Sequence, residues 1–329
     1  MPDHGDKEAW KLFNHNWLLL CCIALTLALG LALTNFSLQI DSQQSVKFGA
    51  ALLFGGLAHY LFSWGYYSRM AFALCALAQL MLVALLMPPL TYMVAAANLP
   101  MQDANLAAFD AMLGLDWIAY FNFVYDRPAL IPYAYLSYAM IVWPIFIIPV
   151  VLGLVRQHLR LRQFVLACML TLIVTTIVSA LLPALGTYHE YGVTPDPAIF
   201  KANAFIASSH DVPLIRDGLL RTLDTTKLAG IITFPSFHAA AAILSLWALW
   251  SVWWMRPFAL LTNGGMLLAT PVVGGHYFVD IFAGVGLAIL AIAAAQRAAR
   301  IGDRTKSQVR EATVRAVPIA ARTAAPSEI

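Results

Sequence analysis

Apolar residues along this chain run in long blocks rather than in alternation, at 17–36, 47–64, 70–95, 129–155, 164–184, 235–254, 258–274 and 277–296. A helix rises 1.5 Å per residue, so blocks of this length match a hydrocarbon layer about 30 Å thick. Lipid offers no partner to a bare peptide group, which makes each block a helix. The pattern therefore predicts an all-α fold, a polytopic membrane bundle of about eight transmembrane helices. The first block is flanked by Lys7 and Lys11, exceeds a signal-peptide core and is followed by further spans, so it reads as a retained helix without a cleaved leader.

Polar stretches divide the chain into a cytoplasmic segment 1–16, a three-span region 17–128, a membrane core 129–297 and a tail 298–329. The tail turns basic and then rich in Ala, Thr and Ser, which predicts disorder. Two connections exceed what a turn requires. Within 96–128, Asp103 to Leu115 shows helical spacing of apolar residues and predicts an amphipathic helix lying on the membrane surface. The connection 185–234 mixes Gly186, Pro195, Pro197 and Pro213 with charges, and predicts an ordered helical lid.

Composition agrees: 61% of the 329 residues are hydrophobic and 11% charged, too few charges for a water-soluble domain of this size. A net charge of +3 without a basic patch argues against nucleic acid as a partner. Cys21, Cys22, Cys75 and Cys168 lie in apolar runs without metal-ligand spacing, so neither a disulfide framework nor a metal or other cofactor is implied. Eight spans place both termini on one side. Fourteen of the 20 basic residues then fall with the termini and six, Lys47, Arg127, Lys201, Arg216, Arg221 and Lys227, on the other side. By the positive-inside rule the termini are cytoplasmic.

Two motifs flank the sixth and seventh blocks: Phe234-Pro235-Ser236-Phe237-His238 and Gly274-Gly275-His276-Tyr277-Phe278-Val279-Asp280. Their histidines are 38 residues apart, the length of two crossings and a tight turn, which returns the chain to one level on the non-cytoplasmic side. Asp280 follows His276 by four residues and shares its helix face. A carboxylate on one imidazole nitrogen fixes the tautomer and leaves the other lone pair free to attack phosphorus. His238 then serves as acid and base. Pro235 and Ser236 suit the first turn of a helix, where unpaired N–H groups favour an anion. An ionisable group at the start of a span is costly and marks function, whereas either histidine alone would read as a wet interfacial residue.

These motifs resemble the second and third motifs of the type 2 phosphatidic acid phosphatase superfamily, and more narrowly the branch of fungal inositol phosphorylceramide synthase and its bacterial relatives, over roughly residues 130–297. The resemblance implies His276 as nucleophile, Asp280 as its partner, His238 as acid/base and Ser236, with the adjoining Phe237, at the phosphate. It also implies membrane lipids as partners, a phospholipid donor and a lipid or polyol hydroxyl acceptor, and a bacterial inner membrane with the site facing the periplasm. Two departures stand out. The phosphatases carry an arginine where Thr270 stands, and a lysine seven residues before their Arg-Pro, where Tyr120 precedes Arg127-Pro128. The synthase branch shares both absences. The counter-charge then falls to Arg216 and Arg221, followed by Lys227 and Arg127, each of which reads equally well as a solvated loop charge. His189 reads as a surface residue or as part of a headgroup pocket; His59 and His158 lie toward the cytoplasmic half, in packing roles. The expectation is a metal-independent lipid phosphotransferase, with hydrolysis of a lipid phosphate or polyprenyl diphosphate as the near alternative. A transporter using His238, His276 and Asp280 as a proton relay is the rival from another class, though the paired broken helices it requires are not evident.

Overall fold

The computed structural model describes residues 4–65, 68–196, 200 and 203–316. In chain order the elements are α1 (His4–Leu33), β1 (Ser37–Gln39), α2 (Ser42–Trp64), α3 (Ser68–Ala95), α4 (Asp103–Met112), α5 (Trp117–Tyr125), α6 (Ile131–Ala139), α7 (Pro144–Leu154), α8 (His158–Leu181), α9 (Thr187–Glu190), α10 (Asn203–Arg216), β2 (Thr222–Asp224), α11 (Phe237–Trp250), α12 (Arg256–Val273) and α13 (Phe278–Ala316). The molecule is a helical bundle, as the apolar blocks predicted.

Helix α3 is the hub on the N-terminal side, packed against α1, α2, α7 and α8, while α11 packs against α8, α12 and α13. One continuous apolar core joins the two groups through residues such as Phe72, Leu152, Leu161, Leu244 and Ala288. Large side chains on the outside, among them Leu52, Leu53, Leu261, Phe282 and Leu290, are exposed, an arrangement that water would penalise and lipid accepts.

Among the described residues, five helices are long and apolar enough to cross a bilayer: Phe13–Leu33 within α1, α2, α3, α8, and Phe278–Ala299 within α13. A sixth arises if the stretches Pro128–Val142 and Pro144–Leu154 count as one span bent by 57°. The bend falls at Pro144, which lacks the N–H that would continue the preceding helix. Helix α11 has 14 residues, about 21 Å of rise. Helix α12 interrupts its apolar face with Thr262 and Asn263.

Two features correct the sequence reading. Helix α4 forms where an amphipathic surface helix was expected, but two of its acids, Asp103 and Asp110, are buried, and it packs against α9 and α13. The disorder expected from 298 is not found up to 316, where α13 simply continues. That stretch is rich in Ala and Arg, which favour helix, and meets its first proline at Pro318. Residues 317–329 lie outside the described residues, as does Lys201 in the long connection.

The connection 185–234 is ordered where described. Strand β2 pairs in parallel with β1, Ser37 opposite Thr222, and Gln44 donates a 2.9 Å hydrogen bond to the Thr225 carbonyl, tying the end of the connection to the α1–α2 turn. Helix α10 is held to α3 by the Tyr92 hydroxyl, which donates to Asp211 Oδ2 at 2.7 Å.

Candidate active site

Ser236 stands in extended conformation immediately before α11 and caps it, its Oγ 3.4 Å from the Ala239 amide. Its own amide donates to the carbonyl of Asp280 at 3.0 Å, joining the start of α11 to the first turn of α13. The approach is close enough that a Cβ on Gly284 would collide with the Ser236 carbonyl oxygen, so only glycine allows the two helix starts to meet.

His276 lies just ahead of α13 and is 3% exposed. Its Nδ1 is 3.3 Å from Asp280 Oδ2, and its Nε2 is 3.4 Å from Ser236 Oγ. Asp280 Oδ2 also accepts the Tyr277 amide at 2.9 Å, which fixes the carboxylate. With Nδ1–H turned toward that carboxylate, Nε2 is the nitrogen with the free lone pair, on the side of the Ser236 hydroxyl. Asp280 is fully buried and, among the described residues, its Oδ1 has no partner. A buried carboxylate oxygen left open in this way stabilises positive charge on the imidazole as it forms.

His238, in the first turn of α11, lies flat against Tyr138 of α6, ring centroids 3.8 Å apart and planes 14° apart. His238, His276, Phe237 and Tyr138 line a single cavity of about 390 Å³ that continues between α3, α7 and α8 to Leu80, Phe164, Cys168 and Ser245, with Leu228–Thr233 of the long connection as a further wall. The two histidines that sequence spacing brought to one level thus face one space. Among the described residues its lining is apolar apart from Tyr138, the histidines and a few hydroxyl and thiol groups, and includes neither lysine nor arginine.

The remaining candidates are engaged elsewhere. Arg127 donates to the Phe123 carbonyl and lies 4.1 Å over that ring; Arg221 lies 4.5 Å over Phe36. Arg216 donates to the Leu99 carbonyl at 2.9 Å, and Lys227 pairs with Asp224 at 3.2 Å. His189 is exposed on α9. None of the five lines the cavity. The two positions where the phosphatases carry cations are turned to α12 instead: the Tyr120 hydroxyl donates to the Leu268 carbonyl and the Thr270 hydroxyl to the Met266 carbonyl.

Sequence reasoning missed the polar frame behind the site. Asp110 accepts the amides of Phe278 and Val279 at 2.7 and 2.8 Å, filling the first turn of α13 with a carboxylate where free N–H groups and the helix dipole welcome one. Burial pushes the Asp110 carboxyl up and these two amides hold it down. Asp103 accepts the Leu185 and Gly186 amides and the Tyr277 hydroxyl, between 2.8 and 3.0 Å. Gly186, at φ +107°, brings Thr187 close enough for its amide to donate to the Gly275 carbonyl at 3.0 Å. The available signal was spacing: acids seven apart on an otherwise apolar helix share one face.

No curated protein and no solved structure matches the chain. The family model of the PAP2 superfamily matches residues 104–294, more than half of the chain, and covers α4 from its second residue, with Asp110 but not Asp103, the cavity helices α6 to α8 and both histidine motifs. With that match over this geometry, the chain belongs to the PAP2 superfamily, an integral membrane protein of a family whose activity is of phosphatase or phosphotransferase type.

Proposed function

We propose that the protein transfers a phospho-headgroup from a phospholipid to a hydroxyl acceptor through a phosphohistidine intermediate. In the first half-reaction His276 Nε2 attacks phosphorus, a P–N bond forms, the P–O bond to the diacylglycerol breaks, and protonated His238 gives its proton to the leaving oxygen. In the second, neutral His238 takes the proton of the acceptor hydroxyl, its oxygen attacks phosphorus, and the P–N bond breaks to restore His276. Asp280 stabilises the imidazolium-like charge, and Ser236 with the α11 N-terminus receives a phosphoryl oxygen. The balance requires neither metal nor redox partner.

The observation that carries this reading is the absence of a cation from the cavity lining among the described residues. A phosphomonoester dianion in an apolar cavity needs counter-charge, whereas a phosphodiester carries one negative charge and is content with fewer donors. Arg216 keeps a buried Nη1 without a partner among the described residues, but it lies outside the cavity lining. In this reading α11 and α12 complete eight crossings, the site faces the periplasm of a bacterial inner membrane, and 185–234 is a lid that excludes water in favour of an alcohol.

Purified protein given a phospholipid labelled in its headgroup, with and without alcohol acceptors, tests this. The expected result is a labelled phosphodiester of the acceptor together with diacylglycerol. Release of the labelled headgroup as its phosphate monoester alone, whatever the acceptor, would support hydrolysis and sink the transfer reading.

A further inference from the structure

Ser236 and the α11 N-terminus serve one non-bridging oxygen while His276 attacks, and among the described residues the cavity offers no cation for the other. One side chain is placed for it. Tyr138 lies flat on His238, which fixes the direction of its ring. A Cβ built on Gly274 would stand 2.9 Å from the Tyr138 hydroxyl and 2.6 Å from His276 Cδ2, so phenol and nucleophile converge over a residue whose missing side chain leaves them room. Tyr138 lines the cavity together with both histidines.

Its hydroxyl also differs from those of its neighbours. Tyr120 and Tyr188 donate to carbonyls of α12, Tyr277 to Asp103 and Tyr92 to Asp211. The Tyr138 hydroxyl has no partner among the described residues. A phenol inside a largely apolar cavity normally finds an acceptor, so an open donor near the His276 ring points to one that arrives with the substrate.

We propose that Tyr138 is a catalytic residue, its hydroxyl donating a hydrogen bond to a non-bridging oxygen of the phosphodiester as charge gathers there. The proposal rests on the transfer reading above. A neutral donor matches a monoanion, and it strengthens as the oxygen gains charge in the transition state, which affects kcat more than KM.

The test compares wild type with Tyr138→Phe, which keeps the stacked ring and removes only the oxygen. The substrates are a phosphatidyl headgroup donor and the two diastereomers of its non-bridging phosphorothioate. Sulfur is a poor acceptor, so wild type should prefer one diastereomer. Tyr138→Phe should lose roughly 10- to 10²-fold in kcat, with KM changed less than about threefold, and should lose the preference. A Tyr138→Phe enzyme as fast as wild type overturns the proposal and leaves the transfer reading intact. So does a slow variant that keeps the preference, since that marks a merely structural role. If wild type turns over none of the diesters, both fall together.

Discussion

Two polar junctions meet the first turn of α13, and they are finished in opposite ways. At the first, Asp110 receives two amides and Asp103 two amides and a hydroxyl, so both carboxylates of α4 are engaged through both oxygens. At the second, Asp280 keeps a buried oxygen open, His276 Nε2 has only a 3.4 Å contact to Ser236 Oγ, and the Tyr138 hydroxyl has no partner among the described residues. A saturated polar group fixes the backbone, and an unsaturated one in a dry cavity is held ready for a substrate. The first junction is the frame and the second the reagent.

Substitutions should separate the two. Replacing the reagent has the largest effect: His276→Ala should lower transfer by about 10⁴-fold and Asp280→Asn by roughly 10²- to 10⁴-fold, with unfolding in detergent little changed. A His276→Ala enzyme of near-normal turnover would dissolve the distinction. Gly284→Val comes next. It drives the start of α11 away from α13, and an ångström of misplacement between Ser236 and His276 should cost about 10²-fold in kcat while helical content by circular dichroism stays constant.

Weakening the frame should act on stability first. Asp110→Ala orphans two amides and should destabilise by about 1–3 kcal/mol, seen as a lower melting temperature, with Asp110→Asn intermediate. Because burial raises the folded-state pKa of Asp110, its titration favours the folded state below the unfolded carboxylate range, and this contribution is lost as pH rises through the folded value. The melting temperature of wild type relative to Asp110→Asn should therefore decline with rising pH. The smallest effect belongs to Asp224, whose carboxyl is held low by the Thr226 hydroxyl and amide and by Lys227. Its contribution is present above the unfolded carboxylate range and lost as pH falls through the depressed value. Proteolytic nicking beside β2 should rise slightly in acid for wild type and show no such dependence in Asp224→Asn.

The second junction was legible in the sequence and most of the first was not. Ser236, His238, His276 and Asp280 fall within two short motifs, where helix geometry alone sets who faces whom. The frame is built from long-range pairs: Asp110 lies 168 residues from Phe278, Asp103 lies 174 from Tyr277, and Tyr138 reaches His238 from another helix. The settings of the cations were hidden for the same reason, since a loop arginine's charge is visible in sequence while the carbonyl or ring it settles on is not. The break at Pro144 was available from proline chemistry but was masked by the length of the apolar block at 129–155.

The most direct test of the central claim is to trap the intermediate. Wild type is mixed with the phospholipid donor without acceptor, quenched rapidly in alkali, and mapped by peptide mass spectrometry. The account predicts an adduct on His276 that carries the intact phospho-headgroup, is absent in His276→Ala, and disappears when an alcohol acceptor is added before the quench. Decay of that adduct to the headgroup phosphate monoester at the same rate with and without an alcohol would contradict transfer, and a wild-type enzyme that turns over donor with His276 unmodified throughout would contradict the phosphohistidine mechanism itself.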